Sequence, residues 1–324
     1  MNAAPTPLIE VRVARKTVEA EDIAGFELAA ADGGTLPSFA AGAHIDVHLP
    51  GGLQRQYSLC NAPGETHRYC IGVLRDPASR GGSVAMHELV HEGTRLAIGA
   101  PKNHFALHED AARSLLFAGG IGVTPILAMA ERLSATDAEF EMHYCTRSPA
   151  RTAYAQRLRD SRFADRVHFH FDDGPPQQKL DLAQRLRAPK PDTRLYVCGP
   201  SGFLDAVRAT ARDCGWSDAQ IHFEYFSGVA PHSAEDRSFD VVINSSGKVI
   251  RVAAAQTITE ALAEHGVFVP VSCQQGVCGT CLTRVIEGAI DHKDLYLSPE
   301  ERAANDQFLP CCSRAAGSRL VLDL

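Results

Sequence analysis

The sequence predicts a multidomain protein: an antiparallel β-barrel, then a doubly wound α/β domain, then a small α+β domain of β-grasp form. Three observations predict it. At 324 residues the chain exceeds what one compact core usually holds. Hydrophobic patterning changes near Ala111, from short alternating runs to strands and helices in turn. Cysteine use is lopsided, with Cys60, Cys70, Cys145, Cys198 and Cys214 scattered and Cys273, Cys278, Cys281, Cys311 and Cys312 crowded toward the C-terminal end.

The β-barrel is read over residues 1–106. Runs such as LIEVRVARKTVE, GFELAA, HIDVHL, RQYSLC and RYCIGVL are separated by Gly, Pro and Asp turns and lack helical periodicity. Two motifs stand out. Arg55-Gln56-Tyr57-Ser58 opens a β run, and Arg80-Gly81-Gly82-Ser83 opens a short helix ending near His91. An arginine and a serine beside a glycine-opened helix N-terminus can bind a phosphate, and a tyrosine can stack on a flat ring. Either motif alone also suits an ordinary exposed edge with one buried aromatic.

The α/β domain is read over residues 107–228. The order is strand SLLFAG, helix PILAMAERLSA, strand FEMHYC, helix near TAYAQRLRD, strand VHFHF, helix DLAQRL, strand RLYVCG, helix GFLDAVRATARD, strand IHFEYF. Such alternation indicates a parallel sheet. SLLFAG runs into Gly119-Gly120-Ile121-Gly122-Val123-Thr124-Pro125, where glycines let backbone approach a pyrophosphate at a helix N-terminus. Thr124 is expected as the N-cap and Pro125 as the first helical residue. A second glycine turn, Cys198-Gly199-Pro200, is placed at the same edge of the sheet, where ligands bind in this architecture.

After the polar stretch SGVAPHSAED comes the third domain, 237–324, behind a linker assigned to 229–236. Its cysteines read Cys273-x4-Cys278-x2-Cys281, then 29 residues to Cys311. This is the plant-type spacing of four thiolates on a two-iron two-sulfur cluster; structural zinc usually shows two C-x2-C-type pairs. Gly276 and Gly279 let the loop turn its amides toward the sulfurs. Cys312 rivals Cys311 as fourth ligand, because consecutive residues of an extended segment point opposite ways and only one can face the cluster. FDVVINSSGKVIRVAA reads as a hairpin, Thr257-Ile258-Thr259-Glu260 as a capping box, and Gly266 as a helix stop.

Arg-x-Tyr-Ser, the Gly-Gly-Ser helix start, Gly-Gly-Ile-Gly-x-Thr-Pro, Cys-Gly-Pro and Phe-Glu-x-Phe, in that order, resemble the ferredoxin-NADP reductase superfamily. With the C-terminal cysteine module, the chain resembles the phthalate dioxygenase reductase and vanillate demethylase reductase group from about Leu8 to Leu324. That resemblance implies FMN, NADH and a 2Fe-2S cluster, with electrons passed to a terminal Rieske-type aromatic oxygenase in a transient encounter. It implies that Arg55, Gln56, Tyr57, Ser58, Arg80, Gly81, Gly82, Ser83 and Phe226 hold FMN. Gly119, Gly120, Gly122, Thr124, Cys198, Gly199 and Pro200 would frame the nicotinamide nucleotide, and Arg147 would test the adenosine ribose. Ser58, Cys198 and Glu224 are the expected catalytic residues, and Cys273, Cys278, Cys281 and Cys311 the metal ligands. Residue chemistry by itself also admits FAD, and Arg147 also suits the 2'-phosphate of NADPH. Leu74 stands where related reductases often carry a lysine, which removes a polar contact to the flavin there. The alternatives are a stand-alone NADH:acceptor reductase and a redox-sensing module.

A net charge of -7 argues against a nucleic-acid surface. No run approaches the roughly 18 apolar residues of a membrane span, and the start of the chain lacks the pattern of a signal or transit peptide. The expectation is a cytoplasmic protein acting as a monomer.

Overall fold

A computed structural model describes residues 7–77, 79, 81–226 and 236–324. The chain divides into two compact units, residues 1–226 and 227–324.

The first unit opens with six antiparallel strands, β1 (Ile9–Ala20), β2 (Ile23–Ala30), β3 (His44–His48), β4 (Gln54–Ser58), β5 (Tyr69–Leu74) and β6 (Arg95–Ile98), and with helix α1 (Gly82–Leu89). Their order is β4-β3-β6-β1-β2-β5. The end strands also meet, through the Leu59–Ile71 bridge and the Cys60 N–H donated to the Cys70 carbonyl at 2.9 Å. The sheet thereby curls onto itself, and Val11, Phe26, Leu28, Ile45, Tyr69 and Ile71 fill it. Each such side chain contributes roughly 1.5–3 kcal/mol by leaving water.

A second sheet follows, all parallel: β7 (Arg113–Gly119), β8 (Glu139–Thr146), β9 (Val167–Phe171), β10 (Thr193–Gly199) and β11 (Ile221–Tyr225), in the order β11-β10-β7-β8-β9. Helices α2 (Val123–Ala135), α3 (Ala155–Arg159), α4 (Leu182–Leu186) and α5 (Ser201–Asp213) connect them. The central strands read as unbroken apolar runs because both faces are covered. Leu116 and Tyr196 lie in one buried cluster with α2, and Phe117 and Val197 in another with α4 and α5. Chain order reverses between β7 and its neighbours β8 and β10, which leaves a crevice at the C-terminal strand ends.

The second unit is a mixed sheet with one main helix: β12 (Phe239–Ile243), β13 (Val249–Val252), α6 (Ile258–Glu264), β14 (Thr283–Glu287), β15 (Ile290–Asp291), α7 (Pro299–Ala304), β16 (Gln307–Phe308), β17 (Arg314–Ala315) and β18 (Arg319–Leu322). The order β13-β12-β18-β14-β16 places β18 parallel to β12 at the centre, and α6 packs Ile258, Ala261 and Leu262 into the same core as Val241, Ile250 and Leu320. The expected capping box is present. Thr257 Oγ1 accepts from the Glu260 N–H at 3.2 Å, and Glu260 Oε2 from the Thr257 N–H at 2.8 Å. Gly266, in the left-handed region, follows the end of α6.

Two local expectations are corrected. The α2 N-cap is Gly122, not Thr124, because the Gly120–Gly122 turn of 3-10 helix already delivers helical backbone before Thr124 is reached. Thr124 is the second helical residue and donates its hydroxyl to the Ile121 carbonyl at 3.1 Å, and Pro125 is the third, still within the turn whose N–H groups have no intrahelical partner. Cys311 and Cys312 lie in a turn, not an extended segment, since the Cys312 and Ser313 N–H groups both donate to the Leu309 carbonyl.

Candidate functional site

In the barrel, strand alternation puts Arg55 and Tyr57 on one face of β4 and Gln56 and Ser58 on the other. The structure brings the two barrel motifs together. A Cβ on Gly82 would lie 2.5 Å from Cγ and Nε of Arg55, so the arginine stem lies against the start of α1. That start has Gly81 as N-cap, in the left-handed region, and no side chain capping it. Its N–H groups and Arg55 together form a cradle with the charge and donors a phosphate needs. Ser83 Oγ accepts the Asp76 N–H at 3.1 Å. Tyr57 is half-buried, and burial raises its phenol above its ordinary range with Arg55 opposing, so it remains a neutral ring that can stack. The Gln56 amide meets His44 Nε2 at 2.9 Å, and Ser58 is buried opposite His44. These residues fit a flavin mononucleotide: a phosphate cradle and a flat face on one strand. Arg80 and most of the linker lie outside the described residues.

At the crevice, backbone meets backbone. A Cβ on Gly122 would fall 2.3 Å from the Cys198 carbonyl oxygen, and one on Gly199 would fall 2.9 Å from Gly119 Cα. The turn after β7 is thus packed on the end of β10, and only glycine permits the approach. Pro200 directly precedes α5, with Phe203 and Leu204 N–H groups donating to its carbonyl. Gly120 has open space on its Cα, which leaves room for a ligand beside the α2 start. Arg147, just past β8, is exposed, and its guanidinium has no ion pair or hydrogen bond among the described residues. Phe226 follows β11 and is 36% exposed.

Cys198 and Glu224 are register partners on β10 and β11. Cys198 is fully buried, and its thiol is pushed well up by burial, with the Glu224 carboxylate adding to the effect. Glu224 itself is only half-buried as a residue, but its Oε2 is shielded and unpartnered, and burial raises its carboxyl to about 8. The shielded oxygen, not the partly exposed stem, decides this titration. Because the folded value lies above the unfolded one, the neutral acid stabilises the fold below about pH 4.5, and that contribution is lost as pH rises through about 8. The predicted outcome is a stability gap between wild type and Glu224→Gln that shifts against wild type from pH 5 to 8.5 in urea titrations; parallel curves would refute the assignment.

One contact was not read from the motifs. A Cβ on Gly72 of β5 would touch the Tyr154 hydroxyl at 2.7 Å and the Thr124 methyl at 2.9 Å, so the barrel strand lies directly on the nucleotide-side turn. A lone glycine inside RYCIGVL is the sequence mark of such close approach.

In the second unit the cysteine loop bends through Gln274, Gly276 and Gly279, all at positive φ. Cys278, Cys281 and Cys311 are buried and Cys273 partly so. The thiols form a connected chain of contacts: Cys278 with Cys273, Cys273 with Cys311, and Cys311 with Cys281 and Cys312. Those contacts, with Cys278 first and Cys311 next, then the Val277 and Gln275 N–H groups, hold Cys273 far below an ordinary thiol although burial opposes them. The Gln275 N–H reaches the Cys273 sulfur at 3.3 Å. Four thiols brought together, with backbone donors aimed at sulfur, fit a 2Fe-2S cluster, which takes four thiolates. Among the described residues no three His, Cys, Asp or Glu side chains are grouped on one metal ion. Cys312 also reaches Cys311, while its sulfur lies 3.7 Å from the Leu309 carbonyl and 3.8 Å from Ser313 Oγ.

Residues 241–316 match the family model described as a 2Fe-2S iron-sulfur cluster binding domain, and residues 100–221 match that of the dimethylamine monooxygenase subunit DmmA-like N-terminal domain. The chain is 55% identical to a vanillate O-demethylase oxidoreductase of a Pseudomonas sp. over 98% of its own length and 100% of that protein. It is 41% identical to a phthalate 4,5-dioxygenase reductase subunit of Pseudomonas putida, over 97% of this chain and 96% of the other. A solved phthalate dioxygenase reductase, a modular structure for electron transfer from pyridine nucleotides to 2Fe-2S, superposes with a TM-score of 0.79 at 37% identity, covering 98% of each chain. With a fold and a cysteine loop that agree along nearly the whole length, the chain belongs to the oxygenase-reductase family that includes vanillate O-demethylase oxidoreductase and phthalate dioxygenase reductase.

Proposed function

We propose that the chain is the NADH-dependent reductase component of a two-component aromatic Rieske oxygenase. The observation that carries this reading is the union, in one polypeptide, of a nucleotide crevice, a phosphate cradle on a β-barrel and a four-cysteine loop, with the vanillate O-demethylase oxidoreductase matched end to end. Residues 1–106 serve as the FMN domain, 107–228 as the NAD domain, 229–236 as linker and 237–324 as the iron-sulfur domain. A bound flavin supplies the conversion between a two-electron hydride donor and a one-electron iron-sulfur carrier.

The protein's own groups bind and orient. Arg55 and the α1 N-terminus, with Arg80 to Ser83, hold the flavin phosphate, Tyr57 supplies a stacking face, and Gln56, Ser58 and Phe226 complete that site. Gly119, Gly120 and Gly122 admit the dinucleotide, helped by Thr124, Gly199 and Pro200, and Arg147 faces its adenosine end. Cys198 presents a neutral, buried thiol to the nicotinamide, since burial and Glu224 both oppose its ionisation. Glu224, with its carboxyl raised to about 8, can hold a proton near neutral pH at Oε2. Cys273, Cys278, Cys281 and Cys311 bind the cluster. No helix of the described residues is long and apolar enough to cross a membrane, and the chain is read as a cytoplasmic monomer. From Arg237 onward ten acidic and eight basic side chains nearly cancel, so docking to the oxygenase gains little from charge steering and is transient.

The test combines purified reductase, NADH and a candidate terminal Rieske oxygenase with its aromatic substrate. Product formation that requires both proteins and matches NADH consumption is expected. NADH oxidation that proceeds only to small acceptors such as quinones or ferric chelates, with no electrons reaching any oxygenase, would favour the stand-alone reductase.

A further inference from the structure

We propose that Asp294 is the positioning residue of the iron-sulfur loop, and that its buried carboxylate makes the centre harder to reduce. The inference rests on the assignment of that centre to Cys273, Cys278, Cys281 and Cys311.

The Asp294 side chain is wholly shielded from solvent. Its Oδ2 accepts the backbone N–H groups of Tyr296 at 3.2 Å and Leu297 at 2.8 Å. Its Oδ1 accepts the Ser313 hydroxyl at 3.3 Å and lies 3.4 Å from His292 Nδ1. The two halves of the cysteine motif meet here. On one side, the Leu295 N–H donates to the Gly276 carbonyl at 2.9 Å, and a Cβ on Gly276 would lie 3.0 Å from Asp294 Cα. The Tyr296 ring lies on Gly279, where a Cβ would fall 2.3 Å from Cζ. On the other side, Ser313 follows Cys311 and Cys312 directly. One carboxylate therefore ties the loop bearing the first three thiols to the turn bearing the fourth, and fixes the tyrosine that covers the Cys278–Cys281 bend.

The turn by itself does not call for a charge. An asparagine oxygen would accept the same two N–H groups, and burying a carboxylate carries a desolvation cost that the amide avoids. Compensation is incomplete, because the nearest guanidinium nitrogen, on Arg302, is 3.8 Å from Oδ2 and that side chain is one-third exposed. Negative charge held in a low-dielectric interior raises the energy of any further electron placed beside it. Hydrogen bonds, net charge and solvent access are the levers that set iron-sulfur potentials.

The experiment uses full-length holoprotein, with iron and sulfide content, midpoint potential by mediated titration followed by electron paramagnetic resonance, and the rate of bleaching by a chelator. Asp294→Asn is expected to keep its iron and to raise the reduced-to-oxidised ratio at the wild-type midpoint about tenfold, which is about 59 mV for one electron. Asp294→Ala and Ser313→Ala, which cut the tie, are expected to bleach about tenfold faster. Asp240→Asn, at an exposed carboxylate of β12 paired with Arg251, should move neither readout. A wild-type potential in Asp294→Asn, together with wild-type bleaching in Ser313→Ala, would overturn the proposal. Loss of iron from Asp294→Asn, in which the amide oxygen can still accept the same N–H groups, would also overturn the proposal that the charge acts on the potential apart from the tie. A wild-type protein that takes up no cluster on anaerobic reconstitution would instead overturn the assignment of the centre.

Discussion

Cys311→Ser is expected to abolish the visible absorption of the iron-sulfur centre, while Cys312→Ser leaves it in place. The two cysteines are adjacent and equally buried, so neither sequence position nor exposure separates them. Contacts do. The Cys311 thiol reaches both Cys273 and Cys281 as well as Cys312, whereas the Cys312 sulfur, beyond Cys311, faces the Leu309 carbonyl and packs where a Cβ on Gly276 would sit 2.4 Å away. In Cys311→Ser, reduction of the bound flavin by NADH should continue, and reduction of cytochrome c through the cluster should fall by about a hundredfold or more, beyond the effect of losing an outer partner. In Cys312→Ser both rates should stay within about twofold, because the substitution touches packing and a weak thiol donor only. Cluster loss in Cys312→Ser with retention in Cys311→Ser would reverse the ligand assignment.

Gly122→Ala is the second substitution with a large expected effect. The new methyl carbon would meet the Cys198 carbonyl oxygen at 2.3 Å, its carbon at 2.4 Å and the Gly199 nitrogen at 2.6 Å. All three are backbone atoms of β10 and the turn behind it, so no side chain can rotate away, and either the turn after β7 or the end of β10 must shift. Overpacking of this kind costs about 3 kcal/mol. The shift also falls on the two glycine turns that line the crevice, so the KM for NADH should rise more than tenfold. Gly202→Ala, in the first turn of α5 with nothing within 4 Å of its added carbon, is the matched control and should leave both quantities unchanged. Denaturant titration and steady-state kinetics on the pair check the prediction; equal behaviour of the two variants would refute it.

Much of this architecture was legible because local signals and tertiary demands agree. The apolar runs SLLFAG and RLYVCG, flanked by helical periods, read as buried parallel strands, and both are central in the sheet. Thr257 and Glu260 announced their helix through a capping box that the structure reproduces. The same signature at Ser298 and Glu301 heads α7, an element the sequence reading passed over because the helix is short and buries no residue of its own. Strand β6 and the Leu59–Ile71 closure also escaped notice. Pairing across such separations is decided by how the whole sheet curls, and no four-residue pattern encodes it. At the site, residue types and spacing were readable but mutual distances were not. Arg55 on Gly82, Gly72 on Thr124 and Asp294 between the two cysteine segments are products of chain folding over long separations. The Thr124 cap failed for a local reason: glycines at 120 and 122 allowed a 3-10 turn to run into α2 without a break.

The central claim is that electrons enter this chain in pairs from a nicotinamide nucleotide and leave it singly through the four-cysteine loop. Anaerobic titration of the purified protein with NADH, followed by absorbance with the flavin identified after acid release, tests it most directly. The account predicts FMN in the supernatant and bleaching of both the flavin and the iron-sulfur bands, with about three electron equivalents taken up per chain. Bleaching of the flavin alone, or a colourless protein carrying zinc, would contradict it.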